Sequence, residues 1–255
     1  MTNPKPTPTS TVAQALKALR LPSMARSWQD LATEATEHAW THERFLSALC
    51  DLELIERSSR RLAQRLASAK LPPGKRLDSF EFPLVPALSR HRVEALCAGD
   101  WIRPAGNCLL FGGSGTGKSH IAAAIGYGLI DAGYSVLFVR TTDLVQRLQA
   151  ARRDLELPAF LAKLDRIDCL ILDDLGYVRK DHSETSILFE LIAERYERRS
   201  LIITCDRPFA DWSTIFTDLI MTVAAIDRLV HHATILEFGS DSYRKRTAVA
   251  NSKRR

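Results

Sequence analysis

A glycine-rich octapeptide limits what this chain can fold into more than any other feature. Residues 112–119 fit the pattern G-x-x-x-x-G-K-[ST] at every fixed position. They follow a short apolar run and open a helical pattern, as a phosphate-binding loop must. The glycines let backbone N–H groups at a helix N-terminus approach phosphate oxygens closely. The motif therefore predicts a nucleoside triphosphate site rather than a turn without a ligand.

Two residues of this phosphate-binding loop have specific predicted roles. Lys118 is expected to reach the β- and γ-phosphates of ATP, and the hydroxyl of Ser119 is expected to bind Mg²⁺. The other predicted contacts to ATP or ADP come from the rest of the loop and the residue after it. The full predicted set is Gly112, Gly113, Ser114, Gly115, Thr116, Gly117, Lys118, Ser119 and His120.

An apolar run at residues 169–172 ends in two acids, Asp173 and Asp174. Such a run is typical of a strand buried on both faces of a parallel sheet, and its carboxyl end lies where ligands bind in such sheets. Asp173 is therefore expected to hold Mg²⁺, directly or through water. Asp174 is expected to orient or deprotonate the attacking water. The alternative is that the two acids cap a helix, which the loop upstream disfavours.

The next apolar run, at residues 201–203, leads to Thr204 and Asp206. A polar group here distinguishes the additional-strand P-loop ATPases from simple nucleotide kinases. Thr204 can donate to a γ-phosphate or to the catalytic water, whereas Asp206 cannot donate when it is ionised. Asp206 has a second interpretation, as the cap of a helix that begins after Pro208. The sequence leaves both interpretations open.

Arg228 lies late in a helical pattern, just before the last predicted strand. From there it could project into the nucleotide site of a neighbouring subunit as an arginine finger. The alternative is a surface arginine paired with Asp227. His231 and His232 follow, but no third ligand at metal spacing is apparent in the sequence. They are interpreted as polar residues at a helix end.

Short apolar runs alternate with helical patterns from residue 107 onward, which indicates a parallel sheet. The predicted fold class is α/β: a P-loop domain with a five-stranded parallel sheet between helices, preceded by a small all-helical domain. Strands are expected at 107–111, 136–140, 169–173, 201–204 and 234–238. Helices are expected between them at about 118–132, 142–151, 158–166, 183–198 and 218–232.

The first part of the chain is predicted to be helical. Residues 10–70 contain no glycine, and apolar positions at helical spacing predict helices that begin near residues 10, 24 and 41. A Leu-Pro-Pro-Gly sequence ends the third helix. Phe80 and Phe82 are expected to pin the following linker to a surface, ahead of a helix at about 87–97. The predicted domains are 1–70 (helical), 71–98 (linker and helix), 99–243 (ATPase) and 244–255 (basic tail).

Composition narrows the class of protein. The formal net charge of +5 and the isoelectric point near 9.0 suit a nucleic-acid partner without requiring one. Residues 1–10 lack the apolar core of a signal peptide, and no apolar run approaches the ~20 residues that span a bilayer. The five cysteines show no CxxC spacing and are interpreted as small buried hydrophobes in a reducing compartment. A cytoplasmic protein with no membrane partner is expected.

In combination, the motifs resemble those of IstB-type proteins, the ATP-dependent transposition helpers encoded beside an IstA-type transposase. These are close relatives of the DnaC helicase loaders and, more distantly, of the DnaA initiators. The resemblance spans essentially the whole chain. The matching segments are 112–119, 171–176, Thr204 with Arg207-Pro208-Phe209 and Trp212, 227–232, and Ser242-Tyr243-Arg244.

This resemblance implies an AAA+ fold, ATP-driven self-assembly on DNA and delivery of target DNA to a transposase. It favours Arg228 as the finger and makes Arg244 a candidate nucleotide or subunit contact. It also identifies Asp206 as the sensor position, where the family usually carries Asn. This departure implies that Thr204 takes over γ-phosphate sensing or that hydrolysis is slow.

Two basic helical stretches are candidate DNA contacts, and the alternative for each is a solvated helix face. One comprises Arg57, Arg61 and Arg65, at i, i+4 spacing on one predicted face. The other comprises Arg147, Arg152, Arg153 and Lys163. DnaA- and DnaC-like relatives place a helix that faces nucleic acid at the second location. Because no base-reading module is apparent, the contacts are expected to be mostly to phosphates and to weaken with salt.

The sequence thus predicts a Mg²⁺-dependent ATPase that forms nucleotide-dependent homo-oligomers on duplex DNA. Its expected partner is an IstA-type transposase, which it would help to select or engage target DNA. One alternative is a DnaC-like replicative helicase loader that binds single-stranded DNA. Another is a small-molecule kinase. The kinase is disfavoured because no acceptor-substrate pattern follows the loop and the acid pair suits attack by water.

Overall fold

The computed structural model describes residues 8–176, 182–215 and 218–239, apart from the side chains at 8–10, 182 and 214. The chain forms two compact units, Met1–Gln64 and Arg65–Arg255. The division between them falls within the third helix. Arg244 and the basic residues predicted as a tail at 244–255 lie outside the described residues.

The first unit is helical, with α1 at Pro8–Ala18, α2 at Pro22–Glu37 and most of α3, which spans His42–Ala69. The helix α2 begins two residues earlier than predicted, and Pro22 occupies its first turn, where a missing N–H costs nothing. The buried carboxylate of Glu53 on α3 accepts the backbone N–H groups of Ser23 at 2.8 Å and Met24 at 3.3 Å. Glu53 therefore satisfies donors that the start of a helix leaves free.

The second unit is built on the predicted five-stranded parallel sheet. Its strands are β1 Asn107–Phe111, β2 Val136–Arg140, β3 Cys169–Asp173, β4 Ser200–Cys205 and β5 Ala233–Glu237. Their order across the sheet is β2-β3-β4-β1-β5, and every neighbouring pair is parallel. Because β1 lies beside β4 and β4 beside β3, the loops that follow these three strands meet at one edge.

Helices cover both faces of this sheet. They are α4 Arg90–Ala98, α5 Lys118–Asp131, α6 Thr141–Arg153, α7 Leu157–Asp165, α8 His182–Arg195 and α9 Leu219–Val230. Alternate residues of β3 face opposite layers, since Leu170 and Leu172 belong to the core shared with α6–α9, whereas Ile171 lies against α5. Burial on both faces explains the apolar runs of β1, β3 and β4, whose residues are all buried.

The five cysteines are free, and Cys108, Cys169 and Cys205 are buried as interpreted from the sequence, whereas Cys50 and Cys97 are half-buried. Burial raises the pKa of the Cys169 thiol to about 12, so this group stays protonated at neutral pH. Among the described residues, no helix combines the length and the apolar character that crossing a bilayer requires.

Candidate nucleotide-binding site

The phosphate-binding loop connects β1 to α5, as predicted. Gly117 has φ +105, and a Cβ atom there would lie 2.8 Å from the ring of Phe80, so only glycine fits. The hydroxyl of Thr116 donates to the carbonyl of Gly113 at 2.9 Å and braces the turn. Because α5 begins at Lys118, the free N–H groups of its first turn and the positive end of its dipole lie at this loop.

A cavity of about 480 Å³ opens over the loop. This volume lies within the range of small-molecule and cofactor sites. Three parts of the chain line it: the loop with the start of α5, the acids after β3 and β4, and a segment that precedes α4. The lining residues are Lys75, Ser79, Phe80, Glu81, Leu84, Val85, Ser114, Gly115, Thr116, Gly117, Lys118, Ser119, His120, Asp174 and Asp206.

Lys118 is only 6% exposed, and its ammonium group donates to the carbonyl oxygens of Gly112 at 2.6 Å and Gly113 at 2.9 Å. Burial lowers the pKa of Lys118, while the negative charges of Asp174 and Asp206 act in the opposite direction. A cation that has lost hydration and is held by neutral carbonyls gains by exchanging them for phosphate oxygens.

The two acids after the third apolar run differ in environment. Asp173 is buried, and its carboxylate accepts the hydroxyl proton of Thr204 at 2.6 Å. Asp174 is exposed and lines the cavity, with φ +58, a left-handed conformation that Asp tolerates better than most residues. Its N–H donates to the hydroxyl oxygen of Thr204 at 2.9 Å. One threonine therefore positions both acids.

The predicted contact between Thr204 and the nucleotide does not fit this geometry. The side chain of Thr204 is fully buried, and the single proton of its hydroxyl is already donated to Asp173. Thr204 does not line the cavity, and its hydroxyl instead orients the carboxylate of Asp173. Sequence reasoning placed Thr204 at the correct strand end but could not identify its partner, because that partner comes from the neighbouring strand.

Asp206 is exposed and lines the cavity, as its predicted role requires. The alternative, that it caps the next helix, is not what the structure has: the short 3-10 helix Phe209–Thr214 begins after Pro208 without a side-chain cap. Sequence reasoning missed Gly176, where a Cβ atom would lie 2.5 Å from Oδ1 of Asp206. Glycine at 176 therefore leaves room for the carboxylate of Asp206.

The donor set around the loop fits Mg²⁺. Ser119, Asp174 and Asp206 line the cavity, and the buried Asp173 precedes Asp174 at the end of β3. All of these donors are oxygens, the ligands that a small hard cation prefers. Asp173 is not among the lining residues, since its carboxylate points into the contact with Thr204.

The segment at residues 75–85, which we call the lid strap, forms a wall that sequence reasoning did not assign to the site. The ring of Phe80 packs edge-on against His120 with centroids 5.2 Å apart, and Nε2 of His120 lies 2.9 Å from the carbonyl of Arg76. Phe80, Leu84 and Val85 give the cavity an apolar side. The two phenylalanines in a linker were the available signal, and Phe80 packs against the start of α5, as expected of a residue that pins the linker.

Arg228 is not brought to this cavity. It lies near the end of α9, and the following turn is joined to the start of β1 by a hydrogen bond from the N–H of Asn107 to the carbonyl of His232. The phosphate-binding loop leaves the other end of β1, roughly 15 Å away for a five-residue strand. Among the described residues, the guanidinium of Arg228 contacts the carbonyl of Ala224 at 2.9 Å and the ring of Phe189 at 5.1 Å rather than Asp227.

Some of the candidate DNA contacts are bound to other residues of the chain, and others are exposed to solvent. Arg57 is half-buried and bound to Glu53 and to the carbonyl of Arg20, and Arg152 forms an ion pair with Glu190. Arg65 is also half-buried. The exposed candidates are Arg61 in the first unit and Arg147, Arg153 and Lys163 in the second.

Comparison with known proteins places this geometry in context. A family described as IstB-like ATP binding protein matches residues 14–251. A Sinorhizobium fredii protein named as an insertion sequence ATP-binding protein is 55% identical over 241 residues, covering 94% of this chain and 81% of the relative. The corresponding protein of insertion sequence IS21 from Pseudomonas aeruginosa is 34% identical over 229 residues, covering 90% of this chain and 86% of the relative.

Solved structures share the fold. The DnaC helicase loader superposes with a TM-score of 0.56 at 18% identity, covering 66% of this chain and 98% of that chain. A DNA replication initiation factor also gives a TM-score of 0.56, at 20% identity, covering 72% of this chain and 55% of that chain. The predicted fold, an AAA+ P-loop domain with a five-stranded parallel sheet, is confirmed.

Proposed function

The chain belongs to the family of IstB-like ATP-binding proteins, and from this premise we propose that it is a cytoplasmic Mg²⁺-dependent ATPase that assembles with copies of itself on duplex DNA. In that assembly it helps an IstA-type transposase to engage target DNA. The observation that carries the proposal is the cavity where the phosphate-binding loop meets Asp174 and Asp206. The names of the relatives, which refer to insertion sequences, support the link to transposition.

In the proposed site, the first turn of α5 and the ammonium of Lys118 bind the phosphates. The apolar side chains of the lid strap contact the base. Ser119 and Asp173 would hold Mg²⁺, which would neutralise charge on the phosphates. Asp174 accepts a proton from the attacking water or orients it. The exposed position of Asp174 and its fixed backbone support this role.

Arg228 completes the site of a neighbouring subunit in this proposal. Its distance from the loop of its own chain, at the opposite end of β1, argues against action within one chain. To act on a neighbour, the guanidinium exchanges its contacts with Ala224 and Phe189 for a phosphate oxygen. Assembly then completes the active site, so ATP binding and oligomerisation promote each other.

The proposed DNA contacts are the exposed cations of α6 and α7, Arg147, Arg153 and Lys163. Arg152 contributes less, because its ion pair with Glu190 must first be broken. Each contact to a phosphate releases condensed counterions, so affinity for duplex DNA falls steeply between ~50 and ~200 mM salt.

A mixing experiment tests the shared active site. ATP hydrolysis is measured for the wild type, for Lys118→Ala, for Arg228→Ala and for an equal mixture of the two variants. Each variant alone is expected to be inactive. In the mixture, the intact loop of one variant meets the intact finger of the other, so part of the activity returns. A mixture no more active than its components contradicts the proposed role of Arg228.

A binding experiment tests the DNA partner. Affinities for duplex and single-stranded DNA are compared with ATP, with ADP and without nucleotide. The triple variant Arg147→Ala, Arg153→Ala, Lys163→Ala is expected to lose ATP-dependent duplex binding. A control that removes three exposed arginines of the same unit, at Arg92, Arg103 and Arg166, is expected to keep it. A preference for single-stranded DNA would instead favour the helicase-loader alternative.

A further inference from the structure

Two turns that are far apart in sequence meet at the amino edge of the sheet. Tyr196 and Glu197 lie in the turn between α8 and β4, and His231 and His232 lie in the turn between α9 and β5. All three potential metal ligands, Glu197, His231 and His232, are exposed. The fold thus brings Glu197 beside the two histidines, a neighbour that spacing in the sequence did not indicate.

The ligand atoms of this group are close to coordination distances. Oε1 of Glu197 lies 3.6 Å from Nδ1 of His231 and 3.9 Å from Nε2 of His232, and the three ligand atoms lie within 4.8 Å of one another. Atoms bound tetrahedrally at ~2.0–2.1 Å from one ion are about 3.4 Å apart. Small rotations of exposed side chains close this difference.

We propose that Glu197, His231 and His232 bind a divalent transition-metal ion of the Zn²⁺ class. Two imidazole nitrogens and one carboxylate suit Zn²⁺, whereas Mg²⁺ prefers ligands that are all oxygen. Three protein ligands leave a fourth position, which faces solvent because all three residues are exposed. Water or a group from another molecule occupies that position.

Neighbouring side chains already contact the proposed ligands. The hydroxyl of Tyr196 lies 2.8 Å from Nδ1 of His231, and the two imidazole rings stack with centroids 4.0 Å apart. The ion replaces the tyrosine at Nδ1.

Binding at this place has a structural consequence. The histidines follow α9 directly, so the ion ties the end of that helix to the turn after α8. Arg228 lies on the last turn of α9, one helical turn before His231. The site therefore fixes the part of the helix that carries Arg228, at the opposite edge of the sheet from the phosphate-binding loop.

The test is Zn²⁺ titration of the full chain without an affinity tag, in competition with a chromophoric chelator and in excess Mg²⁺. The wild type is expected to bind about one Zn²⁺ per chain with an apparent Kd of ~10 µM or tighter. Glu197→Gln and the double variant His231→Ala, His232→Ala are expected to weaken binding at least ~10-fold. His91→Ala, an exposed histidine of α4, is the matched control and binds as the wild type does.

X-ray absorption of the Zn²⁺ complex supplies a second readout. The expected first shell contains two imidazole nitrogens at ~2.0–2.1 Å together with oxygen. The proposal is overturned if the wild type binds no Zn²⁺ below ~100 µM, or if the variants at 197, 231 and 232 bind as tightly as the wild type does. Since the variants lie on the surface, circular dichroism is expected to show unchanged folding.

Discussion

The hydroxyl of Thr204 donates to the carboxylate of Asp173 at 2.6 Å while it accepts the N–H of Asp174 at 2.9 Å. The first bond is buried and the second is partly buried, and together they join the ends of two adjacent strands. A single hydroxyl thus fixes the orientation of one acid and the backbone of the next. This arrangement makes Thr204 a positioning residue for the acids on which Mg²⁺ binding and hydrolysis are proposed to depend.

Thr204→Val removes this hydroxyl at nearly constant volume. ATP turnover is expected to fall ~10–100-fold, the usual effect of losing a group that orients a metal ligand. The free energy of unfolding is expected to fall by about 1–3 kcal/mol, because a buried carboxylate and an N–H lose their partner. Turnover as a function of Mg²⁺ concentration measures the first effect.

Thr204→Ser is the control for this prediction, since it keeps the hydroxyl and is expected to retain turnover within a few-fold. If Thr204→Val hydrolyses ATP with the Mg²⁺ dependence of the wild type, Thr204 does not act through Asp173. If Ser fails as badly as Val, the methyl group and not the hydrogen bond is what matters.

Asp206→Asn is expected to increase ATP affinity or turnover by roughly 10-fold, the effect of one added hydrogen bond to a charged group. Asp206 lines the cavity that is proposed to hold the phosphates, and a carboxylate has no proton to donate when it is ionised. Asn both removes the negative charge and supplies a donor. Dissociation constants for ATP and the hydrolysis rate at saturating ATP separate binding from chemistry.

Asp206→Ala distinguishes the two contributions, because it removes the charge without adding a donor. A gain in Asn but not in Ala identifies donation as the missing function. A loss of turnover in Asn, accompanied by a higher Mg²⁺ requirement, would instead make Asp206 a metal ligand and refute its assignment as the sensor.

The sequence predicted those parts of the fold and site that are encoded locally. The phosphate-binding loop and the strand that leads to Asp173 are contiguous sequence patterns, and each is flanked by helices or strands that the sequence also predicted. Their meeting at the carboxyl edge of the sheet then followed from the topology of parallel sheets. The partner of Thr204 could not be predicted, because it depends on the register between β3 and β4. The same holds for Glu197, which is 34 residues from His231 in sequence and is joined to it only by the fold.

Arg195 is a buried residue that no sequence pattern identified, although its hydrogen bonds join several elements of the fold. Its guanidinium is buried and donates to carbonyl oxygens from α7, from the residues before β3 and from the start of β4. The acceptors are Leu164 at 2.9 Å, Ile167 at 2.9 Å, Asp168 at 3.4 Å and Ser200 at 3.0 Å. Burial lowers the pKa of Arg195 to about 10, so the group remains charged at neutral pH.

Arg195→Met is therefore expected to lower the free energy of unfolding by about 3 kcal/mol or more, since several buried carbonyls lose their donor. Arg198→Met is the matched control: Arg198 is three residues away, its side chain is 54% exposed, and its partners are Asp165 and Glu194. Loss of those surface ion pairs is expected to cost less than ~1 kcal/mol. Thermal unfolding followed by circular dichroism compares the two, and equal midpoints would contradict the structural role of Arg195.

Phe80→Ala tests the lid strap as the wall that receives the base of ATP. The ring of Phe80 lines the cavity and packs on His120, so its removal is expected to weaken ATP binding roughly 10-fold. Binding of inorganic tripolyphosphate, which has no base, is expected to be unchanged. Phe82→Ala is the control, since Phe82 contacts Phe80 at 4.9 Å between ring centroids but does not line the cavity. Equal weakening of ATP and tripolyphosphate would mean that Phe80 shapes the phosphate-binding loop through Gly117 and does not contact the base.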